Sequence, residues 1–249
     1  MEKNISRKNF ELEQSNANLE EFAYVASHDL QEPLRKISIF GDRVLLHHTD
    51  KLNDEGKLFL QKIVDSSKRM QGMINDLLSV SLISGDKSFQ SFSLNAVMND
   101  VLQTLEFKIE GKKAIIKVSD LPQARIIPSQ MRQLFQNLVS NSLKFIAAGR
   151  VPEISITHHE LRNEEISQYQ LTPGKQYLRI DVTDNGIGFE NEFASKIFTI
   201  FQRLHGKFEY EGTGIGLAIC KKIVENHEGV IFAEGRPGNG STFTVVIPV

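Results

Sequence analysis

The sequence has one cysteine, no surplus of positive charge and no long apolar run, and each of these features excludes a class of protein. The single cysteine, Cys220, rules out a disulfide within the chain and a cysteine-based zinc cluster, and it indicates a reducing compartment. A formal charge of −2 argues against nucleic acid as the main partner, because no basic excess is present to neutralise phosphates. No apolar run approaches the ~18 residues of a membrane span, and no signal peptide opens the chain. We therefore expect a cytoplasmic segment without membrane contact, either alone or as the cytoplasmic end of a longer membrane-bound or soluble receptor.

The composition is that of a soluble globular protein, with 40% hydrophobic and 24% charged residues in a chain of 249. The first third has the pattern of long amphipathic helices, and from Phe89 the pattern changes to mixed α/β. We predict a helical domain over residues 1–86, which begins with a polar helical lead-in over 1–20, and an α/β domain over 87–249.

The segment at 24–37, Tyr-Val-Ala-Ser-His-Asp-Leu-Gln-Glu-Pro-Leu-Arg-Lys-Ile, lies at the centre of the first predicted helix. Apolar and small residues recur every three or four positions and form one stripe, made of Phe22, Ala26, Leu30, Pro33, Ile37, Phe40 and Val44. At 100° per residue, His28 lies roughly 155° from the middle of the stripe and points toward solvent. Pro33 removes the backbone hydrogen bond to Asp29 and is expected to bend the helix there. The pattern places an imidazole on an exposed face at a bend, although most lone surface histidines have no chemical role.

A second amphipathic helix is predicted after a polar turn at 49–54. One of its faces carries a run of apolar and small residues, namely Leu60, Ile63, Ser67, Met70, Ile74, Leu77 and Ser81. Two such helices in a hairpin cannot bury both stripes, whereas two hairpins can do so as a dimeric four-helix bundle. We therefore predict a homodimer. The alternative is a hairpin that packs on the following domain of its own chain.

The remainder is predicted to alternate strands and helices. A short strand near 91–95 leads into a helix that is capped by Asn95 and ends by Gly111. Further helices are expected at 128–148, 191–198 and 214–227, and strands at 114–118, 153–157, 177–182, 229–234 and 242–248. The polar insert at 160–175 is expected to be the end of a hairpin.

Three polar residues share one face of the helix at 128–148, at spacings of four and three: Asn137, Asn141 and Lys144. An amide oxygen is a hard ligand that suits Mg²⁺, and a lysine compensates phosphate charge. The face therefore suits a magnesium–phosphate ligand. The alternative is an ordinary solvent face, which the two asparagines weaken because asparagine is a poor helix former.

Two glycine-rich segments follow. In Asp184-Asn-Gly-Ile-Gly188, a carboxylate at a strand end can accept from the exocyclic amine of adenine, and the glycines let backbone approach a flat ligand; a plain turn is the alternative. Gly212-Thr-Gly-Ile-Gly-Leu217 opens a helix whose unpaired amides favour a polyphosphate, with a spacing that fits neither a dinucleotide-binding loop nor a P-loop. Residues 181–192 nearly fit a calcium loop, but Thr183 replaces an acidic or amide ligand and a strand precedes it.

These motifs carry a resemblance to a known family. Ser27-His-Asp-Leu-Gln-Glu-Pro-Leu34 resembles the H-box of the sensor histidine kinases of two-component systems. Four further segments resemble, in order, the N-box, the G1 box, the F-box and the G2 box of that family: 137–145, 184–188, 197–204 and 212–217. The resemblance implies the class α + α/β, in which a helical-hairpin domain forms a dimeric four-helix bundle and an α/β sandwich, the Bergerat ATP-binding fold, follows.

The resemblance also implies ATP and Mg²⁺ as ligands, with Asn141 on the metal. The residues that it assigns to the nucleotide are Asn137, Asn141, Lys144, Phe145, Asp184, Gly186, Gly188, Arg203, Gly212, Gly214, Gly216 and Thr242. Among these, Thr242 would contact adenine through its hydroxyl, and Arg203 would reach phosphate from the ATP lid. His205 and Lys207 would also be within reach of phosphate, and a solvated loop explains them equally well.

The implied activity is autophosphorylation of His28 by ATP, with Asp29 holding the proton of the other ring nitrogen. The phosphoryl group would then pass to an aspartate on the receiver domain of a response regulator. Because other ATPases share the fold, an ATP-driven clamp of the GHKL type and a silent dimeric scaffold remain alternatives.

Two positions depart from the family pattern. Glu32 stands where a threonine or asparagine often positions a water that removes phosphate from the partner, which predicts weak phosphatase activity, and Ser142 stands where alanine is more usual.

Overall fold

The computed structural model describes residues 14, 25, 27, 29–83, 88–202, 204 and 212–249, and for 80–82 and 163 it describes the backbone alone. The chain forms two compact units, Met1–Leu82 and Ile83–Val249. The predicted domain boundary between 86 and 87 falls on residues outside the described ranges and stays a prediction. Among the described helices, none has the length and hydropathy needed to cross a membrane.

The first unit is a hairpin of two long helices, α1 at 29–47 and α2 at Asp54–Ile83, joined by a 3-10 turn at Thr49–Lys51. Helix α1 continues through Pro33. Helix α2 begins where the Asn53 side chain accepts a hydrogen bond from the backbone N–H of Gly56 at 2.8 Å, as expected of an N-cap. Of the lead-in, only Gln14 lies within the described residues.

The two helices face each other through small and polar residues and through Val64, which is fully buried; Ser67 of the predicted α2 face takes part in this contact. Ser67 donates to the backbone carbonyl of Leu34 at 2.7 Å, and Gln71 donates to the hydroxyl of Ser38 at 3.1 Å. Gly41 is buried, and a side chain at this position would overlap Val64. These contacts hold α1 and α2 close together, and several large apolar residues of the predicted faces stay exposed, among them Leu30, Ile37, Phe40, Ile63 and Met70.

The second unit is an α/β sandwich. Its helices are α3 (Leu94–Thr104), α4 (Glu106–Gly111), α5 (Pro128–Lys144), α6 (Asn163–Gln168) and α7 (Gly216–Asn226). Its strands are β1 (Gln90–Ser93), β2 (Ile115–Val118), β3 (Gln123–Ile126), β4 (Glu153–Glu160), β5 (Tyr177–Asp184), β6 (Val230–Gly235) and β7 (Ser241–Pro248). Two 3-10 turns, Asn191–Phe193 and Lys196–Phe198, stand where the sequence pattern predicts one short helix.

Five of the strands form one sheet in the order β2-β4-β5-β7-β6, in which β2 and β4 are parallel and the other pairs are antiparallel; β1 and β3 form a separate antiparallel pair. Helix α5 packs against both α3 and α7, and α5 and α7 pack on the large sheet. Alternate residues of β5 face them, so Ile180 and Val182 are fully buried, as is Leu138 on α5. Because α5 packs on β5, one face of α5 lies beside the end of β5.

Several predicted details are wrong. The cap of α3 is Ser93, which accepts from the N–H of Ala96 at 3.2 Å, and Asn95 instead binds Asp120 and the N–H of Leu121. The single helix expected to end by Gly111 is divided at Leu105 into α3 and α4. The sequence pattern does not predict strand β3. The insert at 160–175 does join the two antiparallel strands of a hairpin, β4 and β5, as predicted, but it also contains helix α6, which the pattern does not predict.

Candidate nucleotide-binding site

Helix α5 carries the three predicted polar residues on one face. Asn137 donates from its side-chain amide to the backbone carbonyl of Gly216 at 3.1 Å, which fastens α5 to the start of α7. The half-buried Asn141 side chain makes no hydrogen bond within the described ranges of the chain, so its amide oxygen is available to a hard cation. The ammonium of Lys144 lies 4.1 Å from the centre of the Phe145 ring.

The helix ends at Lys144, earlier than the predicted 148, and the exit places Phe145 at the site. The N–H of Phe145 still bonds to the Asn141 carbonyl at 2.9 Å, but its backbone leaves the helical region. Its carbonyl then accepts from the N–H of Ile187 at 2.9 Å. This bond joins the end of α5 to the loop that follows β5.

Asp184, the last residue of β5, is only 8% exposed, and its carboxylate accepts four hydrogen bonds. Oδ1 accepts from the N–H of Gly186 at 2.8 Å and from the N–H of Ser241 at 3.2 Å. Oδ2 accepts from the hydroxyl of Ser241 at 2.8 Å and from the hydroxyl of Ser142 at 3.2 Å. Burial of a carboxylate requires such donors, and together they fix its orientation.

Two glycines allow the loop after β5 and the turn before β7 to pack backbone against backbone. Gly188 has φ of +65°, and a Cβ there would overlap the carbonyl of Arg236. Gly240 has φ of +87°, and a Cβ there would overlap the carbonyl of Asp184. Gly186 is buried against the Phe145 carbonyl. Only glycine permits this closeness at Gly188 and Gly240.

The exposed Arg150 binds both the loop after β5 and the turn before β7, and it belongs to none of the predicted motifs. One guanidinium nitrogen, Nη1, donates to the carbonyl oxygen of Asn185 at 2.8 Å and to that of Gly238 at 2.9 Å. The side chain of Asn185 in turn accepts from the N–H of Glu153 at 2.9 Å and donates to the carbonyl of Val151 at 3.0 Å. Because carbonyl acceptors leave no sequence signature, reasoning from the sequence misses Arg150.

The glycine segment before α7 lies beside the polar face of α5. A Cβ atom at Gly212 would come within 2.8 Å of the Lys144 ammonium, and one at Gly216 within 3.6 Å of the Asn137 amide carbon. Gly214 has φ of +75°, and the N–H of Ile215 donates to the hydroxyl of Thr213 at 3.3 Å. The first turn of a helix has N–H groups without partners inside the helix, so the start of α7 favours an anion near Lys144.

The structure places Ser241, and not Thr242, beside Asp184. Ser241 is the cross-strand partner of Asp184, and Thr242 is the partner of Thr183, with 3.1 Å between the two threonine hydroxyl oxygens. Neighbouring residues of a strand point to opposite faces of the sheet, so Thr242 faces away from the buried carboxylate. The predicted adenine contact through the Thr242 hydroxyl stays a prediction, and Ser241 is the hydroxyl that lies on the face of Asp184.

The remaining predicted residues belong to segments that the structure covers only in part. His28, Arg203, His205 and Lys207 lie outside the described residues. Asp29 is on an exposed turn of α1, and the Glu32 carboxylate lies 2.7 Å from the Lys36 ammonium one turn later.

The residues present fit a magnesium-bound nucleotide. Asp184 offers a fixed acceptor where a purine amine would bind, and Lys144 and the start of α7 offer positive charge for phosphates. Asn141 offers an amide oxygen to Mg²⁺, which takes its other ligands from phosphate and water. Among the described residues, no group of three or more His, Cys, Asp or Glu side chains forms a separate metal site.

The fold and site define an ATPase-type α/β domain that follows a helical hairpin. Comparison with known families agrees: residues 126–249 match the family "Histidine kinase-, DNA gyrase B-, and HSP90-like ATPase", and residues 18–85 match the "His Kinase A (phospho-acceptor) domain". The chain belongs to the sensor histidine kinases, of which it contains these two domains.

Individual relatives support this assignment. The chain is 39% identical over 239 residues to the phytochrome-like protein Cph1 of Synechocystis sp., covering 96% of this chain and 30% of the relative. It is also 39% identical over 240 residues to cyanobacterial phytochrome A of Nostoc sp., with 96% of this chain and 30% of the relative covered. The chain thus spans about 30% of the length of these curated relatives.

A solved structure, full-length ShkA in complex with AMPPNP, resembles this chain in fold, with a TM-score of 0.66 at 23% identity over 92% of this chain and 45% of that one. Another, the histidine kinase ThkA in complex with the response regulator protein TrrA, has a TM-score of 0.58 at 21% identity over 96% of this chain and 66% of that one. At such identities the likeness shows the fold alone.

Proposed function

We propose that this chain is the catalytic core of a sensor histidine kinase, which binds ATP with Mg²⁺ in its second unit and transfers the γ-phosphoryl group to His28. The observation that carries the proposal is the buried carboxylate of Asp184, which lies at one end of a site that also holds Asn141, Lys144 and the start of α7. The match to a phosphoacceptor domain covers residues 18–85, which include His28, and this supports His28 as the acceptor.

In the proposed reaction, a neutral imidazole nitrogen of His28 forms a bond to the γ-phosphorus while the bond from that phosphorus to the bridging oxygen breaks, and ADP leaves. Histidine has an ordinary pKa near 6.5, so the nucleophilic neutral ring is abundant at about pH 7. Asp29 would hold the proton of the second ring nitrogen and offset the positive charge that develops on the ring. Bound Mg²⁺ would neutralise phosphate charge, and Asn141 would hold it; catalysis is then mainly positioning and charge stabilisation.

The phosphoryl group is then proposed to pass to an aspartate of a receiver domain on a response regulator. Support comes from family membership and from the ThkA structure, which contains a response regulator as partner. Glu32 occupies the position one turn after His28, and its carboxylate would repel a phosphoaspartate, which is the reason to expect weak phosphatase activity.

We also propose that two chains pair through the hairpin. Large apolar side chains on both helices stay exposed within one chain: Leu30 at 56%, Ile37 at 43%, Phe40 at 60%, Ile63 at 53% and Met70 at 44%. An exposed stripe of this length is typical of a surface that a second copy covers, as in a four-helix bundle. Among the described residues of the first unit, Val64 is the one buried apolar side chain, so a second copy would supply the rest of an apolar core.

The dimer is tested by placing a charge on the stripe and, as a control, off it. Ile37→Glu should shift the chain from dimer to monomer in sedimentation equilibrium. Ile39 is 48% exposed but lies two residues away on a different face, so Ile39→Glu should remain dimeric. A dimer that survives Ile37→Glu, or a monomeric wild type, would contradict the pairing.

The kinase activity is tested with γ-labelled ATP and Mg²⁺. The wild type should acquire a label that is lost in acid and kept in base, whereas Asn141→Ala should acquire little. Release of phosphate to water without any label on the protein would instead identify an ATP-driven clamp.

A further inference from the structure

Ser142 is the one departure from the family pattern that lies inside the described nucleotide site, and its hydroxyl has two acceptors. It is buried on α5, 3% exposed, and lies 3.2 Å from the Asp184 Oδ2 atom and 3.2 Å from the carbonyl oxygen of Leu138. A serine hydroxyl has a single proton that rotates about the C–O bond, so it donates fully to only one of these acceptors at a time.

The carboxylate of Asp184 has about four acceptor positions, and four donors already occupy them. Two of the donors are backbone amides, Gly186 N–H at 2.8 Å and Ser241 N–H at 3.2 Å, which the loop and strand hold in place. The third is the Ser241 hydroxyl at 2.8 Å, which has no second acceptor among the described residues. An incoming purine amine must displace one donor, and Ser142 alone has an acceptor of equal distance to which it can turn.

We propose that Ser142 is a positioning residue that tunes adenine affinity through Asp184: its hydroxyl donates to Oδ2 in the nucleotide-free protein and turns to the Leu138 carbonyl when the exocyclic amine of adenine binds. This inference rests on the proposed nucleotide function. The hydrogen bond given up by Ser142 counts against binding, so Ser142 lowers the affinity for adenine nucleotides. In the free protein the same bond keeps the buried carboxylate fully satisfied.

Removal of the Ser142 hydroxyl is therefore predicted to raise the affinity for ADP. Ser142→Ala loses a donor in the free protein only, because in the bound protein the hydroxyl contributes nothing to Asp184. The variant should bind ADP more tightly by roughly two- to tenfold, the range expected for one net hydrogen bond. A residue with a merely structural role would weaken binding or leave it unchanged when replaced.

The test is calorimetric titration of the whole chain with ADP and with inosine diphosphate, whose base has a carbonyl in place of the exocyclic amine. Ser142→Ala should gain affinity for ADP and gain less for inosine diphosphate. Ser142→Cys, which keeps a weaker donor of similar size, should fall between the wild type and the alanine variant. Ser140→Ala is the matched control, because Ser140 lies on the same helix and makes no side-chain hydrogen bond among the described residues, and it should bind both nucleotides as the wild type does.

The outcomes separate this inference from the function on which it rests. Equal or weaker ADP binding by Ser142→Ala, or an equal gain for both nucleotides, would overturn the role of Ser142. A wild type that does not bind ADP would overturn the role and the proposed function together. ADP binding with the predicted pattern but without phosphorylation of His28 would support the role of Ser142 and contradict the kinase proposal. Alanine favours helix, and a far-UV circular dichroism spectrum equal to that of the wild type verifies that the variant is folded.

Discussion

Asp184 and Ser241 stand directly opposite each other on β5 and β7, and Ser241 binds the carboxylate twice, through its N–H at 3.2 Å and its hydroxyl at 2.8 Å. This pair joins the neighbouring strands β5 and β7 at the end where the nucleotide site lies. Because the carboxylate is buried, the donors of Ser241 replace water that it would otherwise bind. The orientation of Asp184 therefore depends on which residue of β7 faces it as much as on the N–H of Gly186 in the loop after β5.

Ser241→Ala should lower the free energy of unfolding by about 1.5–3 kcal/mol, the range for a hydrogen bond to a charged group. The adjacent Thr242→Val is the matched control: it removes an exposed hydroxyl pair with Thr183 and should cost at most about 1 kcal/mol. Urea unfolding of the nucleotide-free protein measures both. An equal cost for the two variants would contradict the assignment of Ser241 as the partner of Asp184.

Asn141→Ala should remove the contribution of Mg²⁺ to nucleotide binding and leave the rest. The amide oxygen of Asn141 is the hard ligand that the described site offers to Mg²⁺, whereas Asp184 and Lys144 act on the base and the phosphates. Titrations of ADP with Mg²⁺ and with a chelator should differ in the wild type and agree in the variant. A variant that keeps the full gain from Mg²⁺ would show that Asn141 does not hold the metal.

His227 should make the stability of the second unit depend on pH. The ring is 2% exposed; its Nε2 accepts from the N–H of Ile127 at 3.1 Å, and its Nδ1 lies 2.8 Å from the carbonyl of Ile223, to which it donates. Burial lowers the pKa of His227, and the bond to the Ile223 carbonyl opposes this only in part. The unfolded chain takes up a proton near pH 6.5, but the folded chain does so only at lower pH.

The contribution of His227 to stability is thus complete above about pH 6.5 and is lost as the pH falls from there toward the lowered pKa of the folded state. Thermal unfolding between about pH 7.5 and about pH 5, a range that brackets the ordinary pKa of histidine, measures the slope. His227→Gln keeps an oxygen that can accept from Ile127 and does not titrate, so its slope should be shallower. Parallel slopes for the two proteins would contradict the prediction.

Glu32→Thr should increase removal of phosphate from the phosphorylated receiver. The wild-type carboxylate repels a phosphoaspartate, whereas a threonine hydroxyl can hold a water. Glu32 pairs with Lys36 at 2.7 Å on an exposed helix face, so Glu32→Gln, which removes the charge without adding the hydroxyl, is the control. Dephosphorylation of the cognate receiver is the measurement. Strong wild-type activity with no gain in Glu32→Thr would contradict the role assigned to Glu32.

The sequence predicts the parts of the fold that have strong periodicity. Helix α5 and the strands β5 and β7 follow from the spacing of apolar residues, and the hairpin turn at 49–54 follows from a run of polar residues. The polar face of α5 follows as well, because Asn137, Asn141 and Lys144 have helical spacing.

Other features depend on partners that are distant in sequence and leave no local signal. The register of β7 against β5 decides that Ser241 and not Thr242 meets Asp184, and a shift of one residue exchanges the two. Arg150 acts on carbonyl groups, which every residue has. The contact between α1 and α2 uses Ser38, Gly41 and Ser67, whose small size matters only once the two helices meet.

His28 is the proposed acceptor of the γ-phosphoryl group of ATP, and the kinase function depends on it. Tandem mass spectrometry of the chain, digested at neutral to basic pH after incubation with ATP and Mg²⁺, tests this most directly. We predict a phosphohistidine at residue 28 in the wild type and none in a His28→Gln variant that still binds ADP. An ATP-binding wild type with an unmodified His28, or with its phosphate on another residue, would contradict the proposal.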